Sequence, residues 1–234
     1  LAANTPLIHG TLRKLTFQMT NNPKANHPEQ KVISLLRHSE AIKLFENKSD
    51  HEVWRSFDLG DEMAFNYIYR KHVEKMFQYG CQFSKDQSLI QDCIQNIFID
   101  LRKRRGNLSE VLSIKSYLFK ILYREIIRKI NKNNVTNPQY YEYAQDLFLI
   151  EYSHEAKLIN DEQLDQKKEL IIQALDKLSS RQRQAILLMY EEGMSYKEIS
   201  VAMDFREVKS ARKVIYRALA TLKDLLLEKA PYFK

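Results

Sequence analysis

Between Leu89 and Leu101 the apolar residues Leu89, Ile90, Cys93, Ile94, Ile97, Phe98 and Leu101 fall three and four positions apart, which lines them up on one side of a helix. On a strand the same spacing would scatter them over both faces. The pattern recurs in Met63, Ala64, Phe65, Ile68, Tyr69, Val73, Met76, Phe77 and Tyr79. It returns in Tyr117, Leu118, Ile121, Leu122, Ile126, Ile127 and Ile130, and again in Val208, Ala211, Ile215, Ala218, Leu219, Leu222 and Leu226. Stripes of this kind are buried only against one another, so the chain is expected to be all-α. Only five Gly and five Pro stand among 234 residues, too few breaks for a turn-rich β architecture.

Local signals divide these helices. Ser49 with Glu52, Ser84 with Gln87, Ser179 with Gln182 and Ser195 with Glu198 each read as a capping box, and Asp61 reads as an N-cap. Gly60, the basic stretch Arg102 to Asn107 with its Gly106, and Gly193 read as breaks, and Ser113 opens a further helix. The segment 135–159, with Pro138, tyrosines at 140, 141 and 143, and four acids against the single Lys157, reads as an acidic linker with one short helix. Two small helical domains follow from this, 49–134 and 160–234, after an N-terminal arm, 1–48. Within the arm, Val32 to Phe45 suggests one modest helix. Residues 1–18 lack an initiating Met and a signal-peptide core, and Met19 reads as an ordinary start, so 1–18 are set aside. In the second domain a helix from Asn160 to Leu178 and another through Tyr190 precede a short helix around Ile199, a turn at Asp204-Phe205-Arg206 and a long final helix. Short helix, turn and long helix make a helix-turn-helix.

Lys and Arg exceed Asp and Glu by seven, which suits a polyanionic partner, although distribution must decide. No apolar run approaches the ~20 residues that span a bilayer, so direct membrane insertion is not expected. Cys81 and Cys93 fall within apolar helical patterns and read as reduced core thiols, which points to the cytoplasm. The scattered histidines, the lack of a Gly-rich phosphate loop and the missing second ligand pair for a zinc site give an enzyme little support. Glu191 and Glu192, beside a turn, read as solvated helix-end charges.

Two basic faces stand out. On the final helix Arg206, Lys209, Lys213 and Arg217 collect opposite the apolar side, with Arg212 near the boundary. The start of a second helix-turn-helix helix enters a major groove, so Arg206, Glu207, Lys209, Ser210, Arg212 and Lys213 are candidates for DNA contact, with Arg181 and Arg183 adding backbone contacts. On the helix after Ser113, Lys120, Arg124, Arg128 and Lys132 follow at i, i+4 spacing, a ridge of like charges that a polyanion would relieve. Tyr117, Phe119 and Tyr123 interleave with them as candidate stacking platforms for unpaired bases, Tyr117 being the one that packing explains most readily. Both faces also fit ordinary solvated helix surfaces. Asp92, Gln95 and Asn96 point outward on the third helix, where protein docking and plain solvation are both open.

The string Gln91-Asp92-Cys93-Ile94-Gln95-Asn96-Ile97-Phe98 resembles the sigma-70 family segment that binds the clamp helices of core RNA polymerase, with Asp92, Gln95 and Phe98 at matching positions. Ser116-Tyr117-Leu118-Phe119-Lys120-Ile121 resembles the family's promoter-melting, minus-ten-reading helix, with Tyr117 where Trp is usual. Arg181-Gln182-Arg183, Gly193-Met194-Ser195-Tyr196-Lys197-Glu198-Ile199 and Val208-Lys209-Ser210 resemble its minus-thirty-five-reading domain. The resemblance, at its finest to the extracytoplasmic-function subfamily, implies a non-enzymatic sigma factor without cofactor. Its partners would be core RNA polymerase and promoter DNA, with an anti-sigma protein as regulator. Asp92, Gln95, Asn96 and Phe98 would bind polymerase, and Asn107, Leu108 and Ser109 would receive a flipped promoter base. Two departures limit the transfer: Arg124-Glu125-Ile126-Ile127-Arg128 stands where the family often has Asn and Asp, and Phe205-Arg206-Glu207 replaces a small-residue turn. Two other readings compete, a helix-turn-helix regulator that recruits no polymerase and a helical scaffold with merely solvated basic faces.

Overall fold

A computed structural model describes residues 42–133 and 170–228. The arm before Ile42, the linker 135–159 and the start of the helix expected from Asn160 lie outside the described residues. Among the described residues all regular structure is helical, as the three-four spacing required. The long elements are α1 (Asp50–Asp58), α2 (Glu62–Cys81), α3 (Gln87–Lys103), α4 (Ile114–Asn133), α5 (Ser180–Tyr190), α6 (Tyr196–Ala202) and α7 (Val208–Glu228). Residues 42–45 and 170–176 are also helical.

Most helix starts follow from local chemistry. Ser49, Ser179 and Ser195 each accept the N–H of the residue three on, and Glu52, Gln182 and Glu198 return a side-chain oxygen to the cap N–H. Asp61 Oδ1 accepts the N–H groups of Met63 and Ala64 at the start of α2. The expected Ser84 box is corrected: Ser84 Oγ accepts the Asp86 N–H, while Asp86 Oδ1 accepts the Leu89 N–H at 3.0 Å, so Asp86 caps α3. The helix begins at Gln87, which puts Asp86 and not Ser84 at the capping position. The stretch from Arg102 is also less of a loop than expected, because α3 runs on through Lys103. Gly193, after α5, takes a positive φ of 64°, a conformation open to Gly at no steric cost.

Two compact units arise, with the cut passing through α2 and α3. One holds the described residues up to Lys71 with Phe98–Glu110, and the other holds His72–Ile97 with the described residues from Val111 on. In the first unit an aromatic chain forms the core. Trp54 meets Phe57 at 5.5 Å, Phe57 meets Phe65 at 5.8 Å, and Phe98 packs edge-on against Tyr69 at 4.8 Å. Arg105 lies over Phe57 and reaches Glu62 at 2.6 Å. Asp58 Oδ1 then accepts the N–H groups of Gly106 (2.8 Å) and Leu108 (3.1 Å), and Trp54 Nε1 donates to the Ser109 carbonyl (2.9 Å). These bonds fix the 104–110 loop on α1.

In the second unit Tyr79, Phe83 and Phe119 are buried together, with Tyr79 edge-on to Phe119 at 4.4 Å. Gly80 allows close approach there, since a Cβ would sit 2.6 Å from Ile90 Cγ2. Ala185, Leu188, Ile199, Ala202, Ala211, Ile215 and Ala218 make the core of α5 to α7. The turn from α6 to α7 closes with the Phe205 N–H on the Ser200 carbonyl at 2.8 Å. Asp204 takes φ 55° in that turn, tolerable for Asp because its short polar side chain suits the left-handed region. No helix among the described residues is long and apolar enough to cross a membrane.

Candidate nucleic-acid interface

The start of α7 presents the basic face expected of it. Arg206, Glu207, Lys209, Arg212 and Lys213 are exposed and Ser210 is half-buried. Among the described residues Arg206, Lys209 and Lys213 form no ion pair, so their charge is available to an anion. Arg212 rests over the Tyr196 ring, 5.2 Å from its centroid. Ala211, Ile215 and Ala218, fully buried on the opposite side, fix the rotation of α7 that turns the basic residues outward. Arg181 lies over Phe205 at 4.4 Å, close to the same turn. Arg183 is a correction: its side chain is largely buried against Asp176, at 3.6 Å, and is not free for a phosphate.

Along α4, Lys120, Arg124, Arg128 and Lys132 follow one line as their spacing demands, but three of them are already paired. Lys120 Nζ lies 2.8 Å from Asp204 Oδ1, and Arg124 bonds the other oxygen of the same carboxylate. Arg128 meets Glu125 at 2.7 Å. The two cations hold the Asp204 carboxyl below the usual carboxylate range, Lys120 contributing most. Tyr123 is half-buried against Phe83, and burial pushes its phenol up.

The aromatic assignments on α4 are reordered. Phe119 has no exposed surface and packs against Tyr79, so it cannot stack on a base in this arrangement. Tyr117, which packing was expected to explain best, is only half-buried. Phe119 is buried, as are Leu118 and Leu122, and its ring lies against Tyr79 of α2. Helical spacing alone left it near the polar boundary.

On α3, Asp92 and Asn96 are exposed and Gln95 is half-buried, so these three share the outward face expected. Asp92 lies 3.8 Å from Lys129 and stays largely solvated. Phe98 departs from its assignment as a polymerase contact: it is 1% exposed, in the aromatic core of the first unit, where it supports helix packing and offers no surface. Cys93 is buried and its thiol is pushed up to about 11 by burial. Asn107 and Ser109 are exposed and Leu108 is half-buried, all in the loop held by Asp58 and Trp54.

Several residues of the site gave no sequence signal of their own. Glu192, expected to be solvated, has a side chain only 4% exposed, 2.5 Å from Lys115 Nζ and 3.8 Å from Lys75 Nζ. Its carbonyl accepts Lys115 Nζ at 2.6 Å. Gln184 Nε2 donates to the buried Tyr79 hydroxyl at 2.5 Å. Asp204 was visible only as a turn residue.

Residues 168–222 match the family model described as Sigma-70, region 4, a span that holds α5, α6 and most of α7. The chain is also 24% identical to the RNA polymerase sigma-H factor of Pseudomonas aeruginosa over 175 residues, 73% of this chain and 90% of that protein. The region 4 match coincides with a helix-turn-helix whose second helix bears an exposed basic face, and the likeness to a sigma factor reaches well beyond it; together they support the sigma-70 family.

Proposed function

We infer that this chain is a sigma factor, a subunit that binds core RNA polymerase and directs promoter-specific, DNA-dependent initiation of transcription. The observation that carries the reading is the region 4 match falling on α5 to α7, where Arg206, Lys209 and Lys213 stand exposed and unpaired among the described residues. In this reading residues 160–234 bind the minus-thirty-five element as duplex, phosphate contacts by the basic residues setting position and the start of α7 reading base edges. Residues 49–134 bind core polymerase through Asp92, Gln95 and Asn96 and open the minus-ten element through α4. The ridge Lys120, Arg124, Arg128 and Lys132 takes backbone phosphates, while Tyr117 and Tyr123 lie beside unstacked bases. Asn107, Leu108 and Ser109 receive a flipped base, an assignment supported by the anchoring of their loop through Asp58 and Trp54.

At its finest the proposal is an extracytoplasmic-function sigma factor, non-enzymatic, acting in the cytoplasm and held in check by an anti-sigma protein. The test combines the purified chain with core RNA polymerase and genomic DNA and maps transcription starts, with Asp92→Ala plus Gln95→Ala as the comparison. Specific starts that require the chain and those side chains are expected. Discrete DNA protection by the chain alone, with no polymerase-dependent starts, would replace the reading with a separate helix-turn-helix regulator.

A further inference from the structure

In the first unit the loop 104–110 carries the exposed Asn107 and Ser109, and their placement depends on how the loop is fastened. Its backbone is tied at each residue from Gly106 to Ser109. Gly106 turns at φ 80° and gives its N–H to both the carbonyl (3.0 Å) and Oδ1 (2.8 Å) of Asp58. The Asn107 N–H goes to the Arg104 carbonyl at 3.1 Å. The Leu108 N–H bonds Asp58 Oδ1, and the Ser109 carbonyl accepts Trp54 Nε1. Immediately before the Gly106 turn stands Arg105. Its Cζ lies 4.8 Å from the Phe57 ring centroid and 5.3 Å from that of Phe65, two rings that stack on each other at 5.8 Å. One terminal nitrogen reaches Glu62 Oε1 at 2.6 Å, while Arg102 takes the other oxygen of that carboxylate at 3.1 Å. The Arg105 side chain is only 14% exposed, and its Nε and Nη2 are buried with no acceptor among the described residues.

Stability does not explain an arginine at this position. A buried guanidinium with one carboxylate partner leaves donors uncompensated, and an apolar side chain of similar length commonly serves a core as well or better. What arginine alone supplies is a plane that lies flat over aromatic rings together with a fork that reaches a carboxylate. Here that combination fixes the start of the loop against Phe57 of α1 and against Phe65 and Glu62 of α2 at once. The Gly106 turn then sets the direction of the residues that follow. A side chain that reads a base must be held within about 0.5 Å of its working position, which asks for a support of this kind behind it.

We propose that Arg105 is a positioning residue for base selection: it touches no nucleic acid itself, and it holds the 106–109 backbone so that the Asn107 and Ser109 side chains meet one unpaired base in a fixed geometry. This rests on the reading of that loop as the receiver of a flipped base.

The test uses the full chain, alone and with core RNA polymerase, and a single-stranded oligonucleotide with a randomised central stretch. Bound strands are sequenced and the total bound is measured beside them. The parent chain is expected to enrich one base at one position about tenfold, the scale of a well-formed hydrogen-bonded base contact. Asn107→Ala is expected to remove that enrichment. Arg105→Met, which keeps the length but neither plane nor charge, is expected to reduce it to about twofold or less, with total binding within about twofold of the parent because phosphate contacts elsewhere set it. The urea midpoint of Arg105→Met is expected to hold, as an apolar replacement of a buried charge allows. Arg105→Lys keeps the charge and loses the plane; it is expected to lose enrichment likewise, and it decides the matter if the Met variant does not fold. Ile68→Val, in the buried part of α2 and outside the bonds above, is expected to lower the midpoint and leave the enrichment unchanged. Enrichment retained in a folded Arg105→Met or in Arg105→Lys overturns the proposal, as does an equal loss from Ile68→Val or no enrichment by the parent in either setting. Association with core polymerase is scored separately. A chain that selects a base yet never joins polymerase keeps the role of Arg105 and loses the sigma-factor reading, and one that joins polymerase and initiates yet selects no base does the reverse.

Discussion

Replacing Phe119 with Ala separates a packing role from a base-stacking role at one position. The ring has no exposed surface, lies edge-on to Tyr79 at 4.4 Å, and has Lys115 Nζ 5.8 Å from its centroid. Truncation removes about 150 Å² of buried apolar surface. At ~25 cal/mol per Å² this amounts to roughly 3–4 kcal/mol, and the aromatic pair adds about 0.5–1.5 kcal/mol. The sum agrees with the range of about 3–5 kcal/mol for Phe-to-Ala changes in well-packed cores. With a urea slope of about 2 kcal/mol/M, the unfolding midpoint is expected to fall by about 1.5–2.5 M, a large share of the stability of a domain this size. Urea titration followed by far-UV circular dichroism reads the midpoint, and oligonucleotide binding is measured on Phe119→Leu, which retains most of the volume and is expected to bind as the parent does. A midpoint unchanged in Phe119→Ala, together with about a tenfold loss of oligonucleotide affinity, would refute the burial argument, since that is the scale of a lost base stack.

Asp58→Ala removes the acceptor for the Gly106 and Leu108 N–H groups and is expected to cost about 1–3 kcal/mol, with faster amide exchange at those two positions; unchanged exchange would show that the loop is held without it. Gly80→Val forces side-chain carbon against Ile90 and is expected to destabilise by about 1–3 kcal/mol in thermal unfolding, whereas a neutral result would mean that α2 and α3 can separate freely. Ser195→Ala removes the cap of the seven-residue α6 and is expected to cost about 1 kcal/mol in the same assay. Burial raises the Cys93 thiol to about 11, so at pH 8 a thiolate-directed reagent is expected to label Cys81 quickly and Cys93 only on unfolding. The same shift favours the folded state fully below the ordinary thiol range, and that contribution is lost as pH rises toward the raised value. Equal labelling rates of the two cysteines in the folded chain would contradict this.

The features legible in the sequence were those settled within one or two helical turns. Ser49, Ser179 and Ser195 cap helices because the hydroxyl and the carboxylate or amide three residues on reach only their own helix end. The periodic stripes of α2, α3 and α7 specify helices that need a partner, whichever partner it is. The basic face at the start of α7 was likewise fixed by its rotation against Ala211, Ile215 and Ala218.

Which partner each stripe meets is a tertiary matter, and there the residues parted from their spacing. Phe119 and Tyr117 differ by two positions and sit near the same boundary of α4. Only the approach of Tyr79 on α2 buries the first and leaves the second half-exposed. Phe98 carries a family motif position and yet lies among Tyr69 and Phe65. Glu192 and Asp204 are turn acids of the most ordinary local kind, and their meaning comes from lysines and an arginine 77 to 84 residues earlier for the pairs Lys115 to Glu192 and Lys120 to Asp204. Capping and periodicity are short-range and read directly from the chain, but burial and charge pairing depend on distances between helices, which packing sets.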